Sequence, residues 1–204
     1  MPRLFSIKPS LTLKGRKFKG IRGWAGKPFH PPLTDIPIAA YVLAAVFDVL
    51  SVILYEPHAE FDMVLPSDPL FVRPGLGYEM WRAATFVIIA GLVVSIPTAL
   101  TGFWDWLKST PKHTQAWRTA NWHMTLMLLT TALVIVDVLW RVTIDNQPHT
   151  PVWLAILSVA IAITVSWGAL YGGSLVYEMG FNVETASDSP VWHESETDAY
   201  PGQE

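Results

Sequence analysis

The chain has 204 residues, of which 51% are hydrophobic and only 15% charged, with a formal net charge of -3. A soluble domain carries roughly 25% charged residues, so this composition points to a membrane protein of one domain at most. The absence of cysteine excludes disulfides, thiolate-held iron–sulfur clusters and cysteine catalysis, and leaves the redox compartment open.

Residues 1–32 carry eight of the fourteen Lys and Arg, among them Lys14, Arg16, Lys17, Lys19 and Arg22, and no acid. No apolar run with a small-residue cleavage site follows the start, so this is read as a basic cytoplasmic arm and not a signal peptide. Such an arm suits anionic lipid headgroups, at about 1 kcal/mol per basic residue near the surface. Nucleic acid is not expected as a partner, because no aromatic platform or recognised motif accompanies the charge.

A transmembrane domain is expected over 33–183, with spans at about 36–55, 83–104, 120–140 and 151–176. Each run is long enough to cross the roughly 30 Å hydrocarbon core. Span one holds a single charge, Asp48. Its Pro37 costs no helical hydrogen bond only in the first turn, which predicts Thr34 or Asp35 as N-cap and His30 just outside. Span two is uncharged and contains Pro97, where a kink is expected.

Span three combines an apolar run with ionisable groups on one face. From His123, offsets of four, seven, eleven, fourteen and eighteen reach Met127, Thr130, Val134, Asp137 and Arg141, a narrow helical stripe. Ionisable groups in hydrocarbon are costly unless partnered, so the stripe should face a bundle interior. Span four is uncharged and places Gly168 and Gly172 at GxxxG spacing, which permits close helix contact. Residues 184–204 are expected to be an acidic, disordered tail, since seven acids and no Lys or Arg follow Tyr177.

These features predict an all-α, polytopic four-helix transmembrane bundle. The loop 56–79 has Glu56, Glu60, Asp62, Asp68 and Glu79 against Arg73, whereas 105–118 has Lys108, Lys112 and Arg118 against one acid. The positive-inside rule then places both termini and the second loop in the cytoplasm. Trp104, Trp106, Trp117 and Trp122 fall at the inner interface and Trp81, Trp140 and Trp153 at the outer one, as interfacial aromatics do. No internal repeat is visible in the sequence.

Several short motifs occur in a characteristic order at the span ends. They are His30-Pro31, Asp48, Thr101-Gly102 followed by Asp105, the stretch from Arg118 to His123, and Gly172-Gly173-Ser174-Leu175-Val176-Tyr177 with Gly180 and Val183. Together they resemble the bacterial membrane family catalogued as domain of unknown function 2231, over about residues 29–183. The resemblance implies a four-helix domain of the bacterial inner membrane without a settled activity. Some relatives are joined to a Rieske iron–sulfur domain, which implies electron-transfer surroundings; this chain has no cysteine to ligate such a cluster.

The predicted topology sorts the polar residues into two layers. Asp137 lies about 21 Å beyond His123 at roughly 1.5 Å per residue, so an outer cluster of Asp48, Arg82, Asp137 and Arg141 is expected. An inner cluster should gather His30, Asp105, Arg118, Asn121, His123 and Tyr177. The outer charges read as an Asp–Arg network setting helix register, or as a proton relay, for which the stripe offers only Thr130 as a link. For the inner layer the alternatives are a structural His123–Asp105 contact and ligation of a b-type haem by His30 and His123. His58, His149 and His193 fall in loops or the tail, and His113 in a short loop.

Without a nucleophile constellation, metal-ligand spacing or phosphate loop, an enzyme is not expected. The chain reads as a structural or accessory subunit of a larger membrane assembly that carries out electron transfer, with other membrane subunits as partners. The alternative is a haem-bearing or quinone-associated electron-transfer subunit.

Overall fold

The computed structural model describes residues 29–56, 75–144 and 147–179. The expectations for the basic arm before Phe29, the acidic part of the first loop, His58, His193 and the acidic tail lie outside them. The described residues form four helices, α1 (His30–Ile53), α2 (Leu76–Ser109), α3 (Gln115–Thr143) and α4 (Val152–Tyr177). All four are long and apolar enough to cross a membrane, and no strand occurs among the described residues. The chain is thus an all-α protein of four membrane-spanning helices.

Helices α1, α2 and α3 are longer than the apolar runs that mark them, whereas α4 matches its predicted span to within one residue at each end. Hydropathy ends where the hydrocarbon ends, whereas the backbone hydrogen-bond ladder continues into the interfacial layer. In α2, of 34 residues, the ladder takes in Glu79 and Arg82 at one end and Asp105 to Lys108 at the other. At about 1.5 Å per residue α2 is roughly 51 Å long, well beyond the hydrocarbon core.

Helix α1 begins earlier than its cap chemistry suggested. Its N-cap is Phe29, and Pro31 and Pro32 occupy the first turn, where their missing N–H groups cost nothing. Thr34 is therefore inside the helix, its Oγ1 donating to Pro31 O at 2.6 Å, and neither Thr34 nor Asp35 is the cap. Pro37 becomes an interior proline that withdraws the donor due to Leu33 O. Thr98 Oγ1 of α2 lies 3.3 Å from that carbonyl and 2.8 Å from Val94 O of its own helix, so its one hydrogen is shared between the two acceptors.

Helices α1 and α3 each pack against both α2 and α4 and stand diagonally opposed. Ala40, Tyr41, Ala44, Ile88, Val134, Ile161 and Val165 form the buried core between them. A Cβ on Gly91 would come within 2.8 Å of both Ala40 Cβ and Tyr41 Cε1, so glycine is what lets α2 approach α1 here. Tyr41 and Ser95 hydroxyls close the same contact at 2.6 Å. Aromatic residues gather at the two ends: Trp106 stacks on Trp117 at 4.7 Å, and Trp140 meets Trp81 and Trp153 at 6.1 and 4.8 Å.

The α2–α3 link turns through His113, whose φ of 62° is left-handed and whose side chain is exposed. Thr114 then caps α3, accepting from Trp117 N at 3.2 Å. Single cysteines at Ser67 and at the exposed Lys112, in successive connections, should be labelled by a membrane-impermeant reagent from opposite faces of the membrane. Labelling of both from one face would contradict the spanning arrangement.

Candidate functional site

The polar side chains buried in the bundle are arranged by the registers of the two diagonal helices. Asp48 follows His30 on α1 by eighteen residues, and Arg141 follows His123 on α3 by the same interval. Eighteen residues make five helical turns, so on each helix the histidine and the charged residue share a face, about 27 Å apart. The histidines meet at one end of the bundle and Asp48 meets Arg141 at the other. The two hairpins therefore correspond in spacing, with like residues at the histidine end, His30 and His123, and opposite charges at the other, Asp48 and Arg141.

At the charged end, Arg141 Nη2 lies 2.5 Å from Asp48 Oδ2, and Arg141 Nε forms an ion pair with Asp137 Oδ1 one turn earlier. All three side chains are fully buried. Thr150 Oγ1 donates to Asp48 Oδ1 at 2.8 Å. Ser158 of α4 donates to Asp48 Oδ2 and lies 3.2 Å from Asp137 Oδ2. Arg141 Nη1 reaches Thr85 Oγ1 of α2 at 3.2 Å, and its guanidinium sits over the Trp81 ring at 4.6 Å. All four helices thus contribute to one cluster, as intramembrane charges require.

Arg82 is not part of that cluster. It is exposed and lies over the Tyr78 and Phe86 rings of its own helix, at 5.8 and 5.6 Å. One residue along a helix is a rotation of about 100°, so Trp81 faces the bundle and Arg82 does not. Thr85, Thr150, Ser158 and Trp81 escape a reading of the sequence. Their only signal is a hydroxyl in an apolar helix or loop, or a tryptophan attributable to the interface.

At the other end the His30 and His123 rings stand 6.4 Å apart, centre to centre, inclined at 81°. His30 Nδ1 is 3.0 Å from Thr98 O and His123 Nδ1 is 2.8 Å from Gly168 O. A carbonyl only accepts, so each neutral ring carries its proton on Nδ1 and leaves the Nε2 lone pair free. Four residues after each accepting carbonyl comes a glycine that makes room for the ring. A Cβ on Gly102 would lie 2.5 Å from His30 Cε1, and one on Gly172 would lie 3.1 Å from His123 Cε1. One on Gly168 would collide with Met127, so the Gly168 and Gly172 pair receives Met127 and His123, themselves four apart on α3.

The other residues expected at this end separate by helix face. Tyr177 is 87% exposed, while Leu175 is the buried residue of that turn, so Tyr177 belongs to no cluster here. Arg118 is exposed, being about 140° around α3 from His123. Asn121 Oδ1 accepts from Trp106 Nε1 at 2.8 Å, tying α3 to α2 beside the imidazoles. Asp105 is buried at 3% exposure, yet the Nδ1 partner of His123 is the Gly168 carbonyl and not Asp105. Among the described residues no group of three or more His, Asp and Glu could hold a metal ion.

The arrangement defines a four-helix membrane protein with an ion-paired cluster at one end and two diagonally opposed imidazoles at the other. The chain belongs to the family described as predicted membrane protein, domain of unknown function 2231, which matches residues 26–185. No curated protein and no solved structure matches it.

Removing Arg141 alone should leave the buried Asp48 and Asp137 side chains without the donor they share, and breaking a buried ion pair of this kind costs about 3–5 kcal/mol. Arg141→Met should therefore lower the melting temperature in detergent sharply. Arg82→Met should leave it unchanged. An Arg141→Met protein that melts like the parent would show that the cluster contributes nothing to holding the helices.

Proposed function

We propose that this membrane protein is an electron-transfer subunit that holds a b-type haem between His30 and His123. The observation that carries this reading is the imidazole pair itself, with each Nδ1 occupied by a main-chain carbonyl and each Nε2 left as the coordinating nitrogen. A histidine ligand held through its other nitrogen by a carbonyl has its tautomer and ring orientation set in advance.

The separation also fits. The ring centres stand 6.4 Å apart, close enough that both Nε2 nitrogens would hold one haem iron between α1 and α3. Among the described residues His30 and His123 converge here without a third His, Asp or Glu, and these two would serve as the protein's ligands to a haem iron.

A haem bound there would supply one-electron chemistry. The chain's own residues do the positioning: Thr98 O and Gly168 O hold the rings, and Gly102 and Gly172 admit them against α2 and α4. In this reading the chain is an accessory subunit of a larger membrane assembly. The basic arm and acidic tail are the segments whose charge suits them to dock such partners.

Detergent-purified protein, produced with adequate haem supply or reconstituted with hemin, should show a Soret band. His30→Ala and His123→Ala should each abolish it, His113→Ala should keep it, and Gly102→Val should weaken it by displacing His30 without removing a ligand. A parent protein without a Soret band after reconstitution would overturn the proposal and leave a purely structural subunit.

A further inference from the structure

Among the described residues, the buried cluster at the charged end holds two acids, Asp48 and Asp137, and one base, Arg141. Asp48 and Arg141 occupy matching positions of the two hairpins and neutralise each other at 2.5 Å. Asp137 precedes Arg141 by four residues, and the matching position four residues before Asp48 is Ala44, fully buried in the core. Asp137 is therefore the surplus carboxyl of an otherwise paired arrangement. With both acids ionised, the cluster would carry a net negative charge inside the membrane, an arrangement that low-dielectric surroundings strongly disfavour.

The hydrogen bonds indicate where a compensating proton resides. Asp48 is fully supplied with donors: Thr150 Oγ1 at 2.8 Å on Oδ1, and Arg141 Nη2 and the Ser158 hydroxyl on Oδ2. Asp137 Oδ1 takes Arg141 Nε. Asp137 Oδ2 has Arg141 Nη2 only at 3.5 Å and Ser158 Oγ at 3.2 Å. Ser158 has a single hydrogen. When that hydrogen goes to Asp48, the Ser158 lone pairs face Asp137 Oδ2 and can only accept from it.

We infer that Asp137 Oδ2 is a proton-binding site within the membrane, donating to Ser158 Oγ, which in turn donates to the Asp48 carboxylate. The proton balances the surplus acid and leaves Asp48 and Arg141 as the one ionised pair. Among the described residues no other titratable group bonds either carboxylate: α2 presents Trp81 and Thr85, α4 presents Ser158, and the segment before α4 presents Thr150. The nearby His149 is stacked on Tyr55 at 3.8 Å and bonds neither carboxylate. This inference is independent of any cofactor at the histidine end.

Infrared spectroscopy of the full chain in lipid nanodiscs tests it at neutral pH. The parent protein should show a carboxylic-acid C=O stretch, distinct from carboxylate bands, that is absent from Asp137→Asn. The same band should move in Ser158→Ala, which removes the acceptor of the proton. Asp137→Asn should melt within a few degrees of the parent, because its amide N–H can replace the acid O–H toward Ser158. Asp48→Asn should melt markedly lower, because an amide there would face the donors of Arg141. Absence of the band in the parent, its persistence in Asp137→Asn, an unshifted band in Ser158→Ala, or an Asp137→Asn protein less stable than Asp48→Asn would each overturn the assignment.

Discussion

Arg141 is the residue on which the arrangement of the helices depends. A guanidinium in the hydrocarbon region has no water to turn to, so every donor it carries must be met by protein. Its donors reach Asp137 on its own helix, Asp48 across the diagonal, Thr85 on α2 and Ser158 on α4. The same demand extends outward: Thr150 binds Asp48 through Oγ1 while its N–H binds Ser51 Oγ, whose hydrogen goes to Gly77 O. One charge thus orients the end of every helix at that side of the bundle.

The opposite end is organised by contact with the main chain. Each imidazole sits against the second helix of its own hairpin, using a carbonyl as partner and a glycine as the space it needs. These contacts hold the side chains without consuming the Nε2 nitrogens, which a His–Asp pair could have done. The two ends are coupled by register alone, since five turns of α1 and five turns of α3 separate histidine from charge. Between them runs a core of Tyr41, Ile88, Val134, Ile161 and Val165, with few polar links; Thr130 and Thr164 share one hydrogen bond at 3.2 Å.

Much of this plan is legible in the amino-acid sequence. Run length against bilayer thickness determines that there are four helices and that they alternate in direction. The rise per residue determines the depth of each polar group, and hence that His30 and His123 share one end while Asp48, Asp137 and Arg141 share the other. The stripe from His123 to Arg141 also marks which face of α3 is internal, because hydrocarbon tolerates those groups in no other direction.

The azimuth of each residue about the other helices, and the partner it meets there, are decided only by the tertiary structure. Arg82, Arg118 and Tyr177 have suitable depth but the wrong face, whereas Thr85, Ser158 and Gly102 have suitable faces and no feature that distinguishes them in one dimension. Depth accumulates along a single axis and can be counted from the sequence. Facing depends on how α1, α2, α3 and α4 are rotated against one another, and a step of one residue turns a side chain by about 100°. That rotation is set by the glycines and hydroxyls at the helix contacts, whose partners lie tens of residues away and become neighbours only when the four helices have packed.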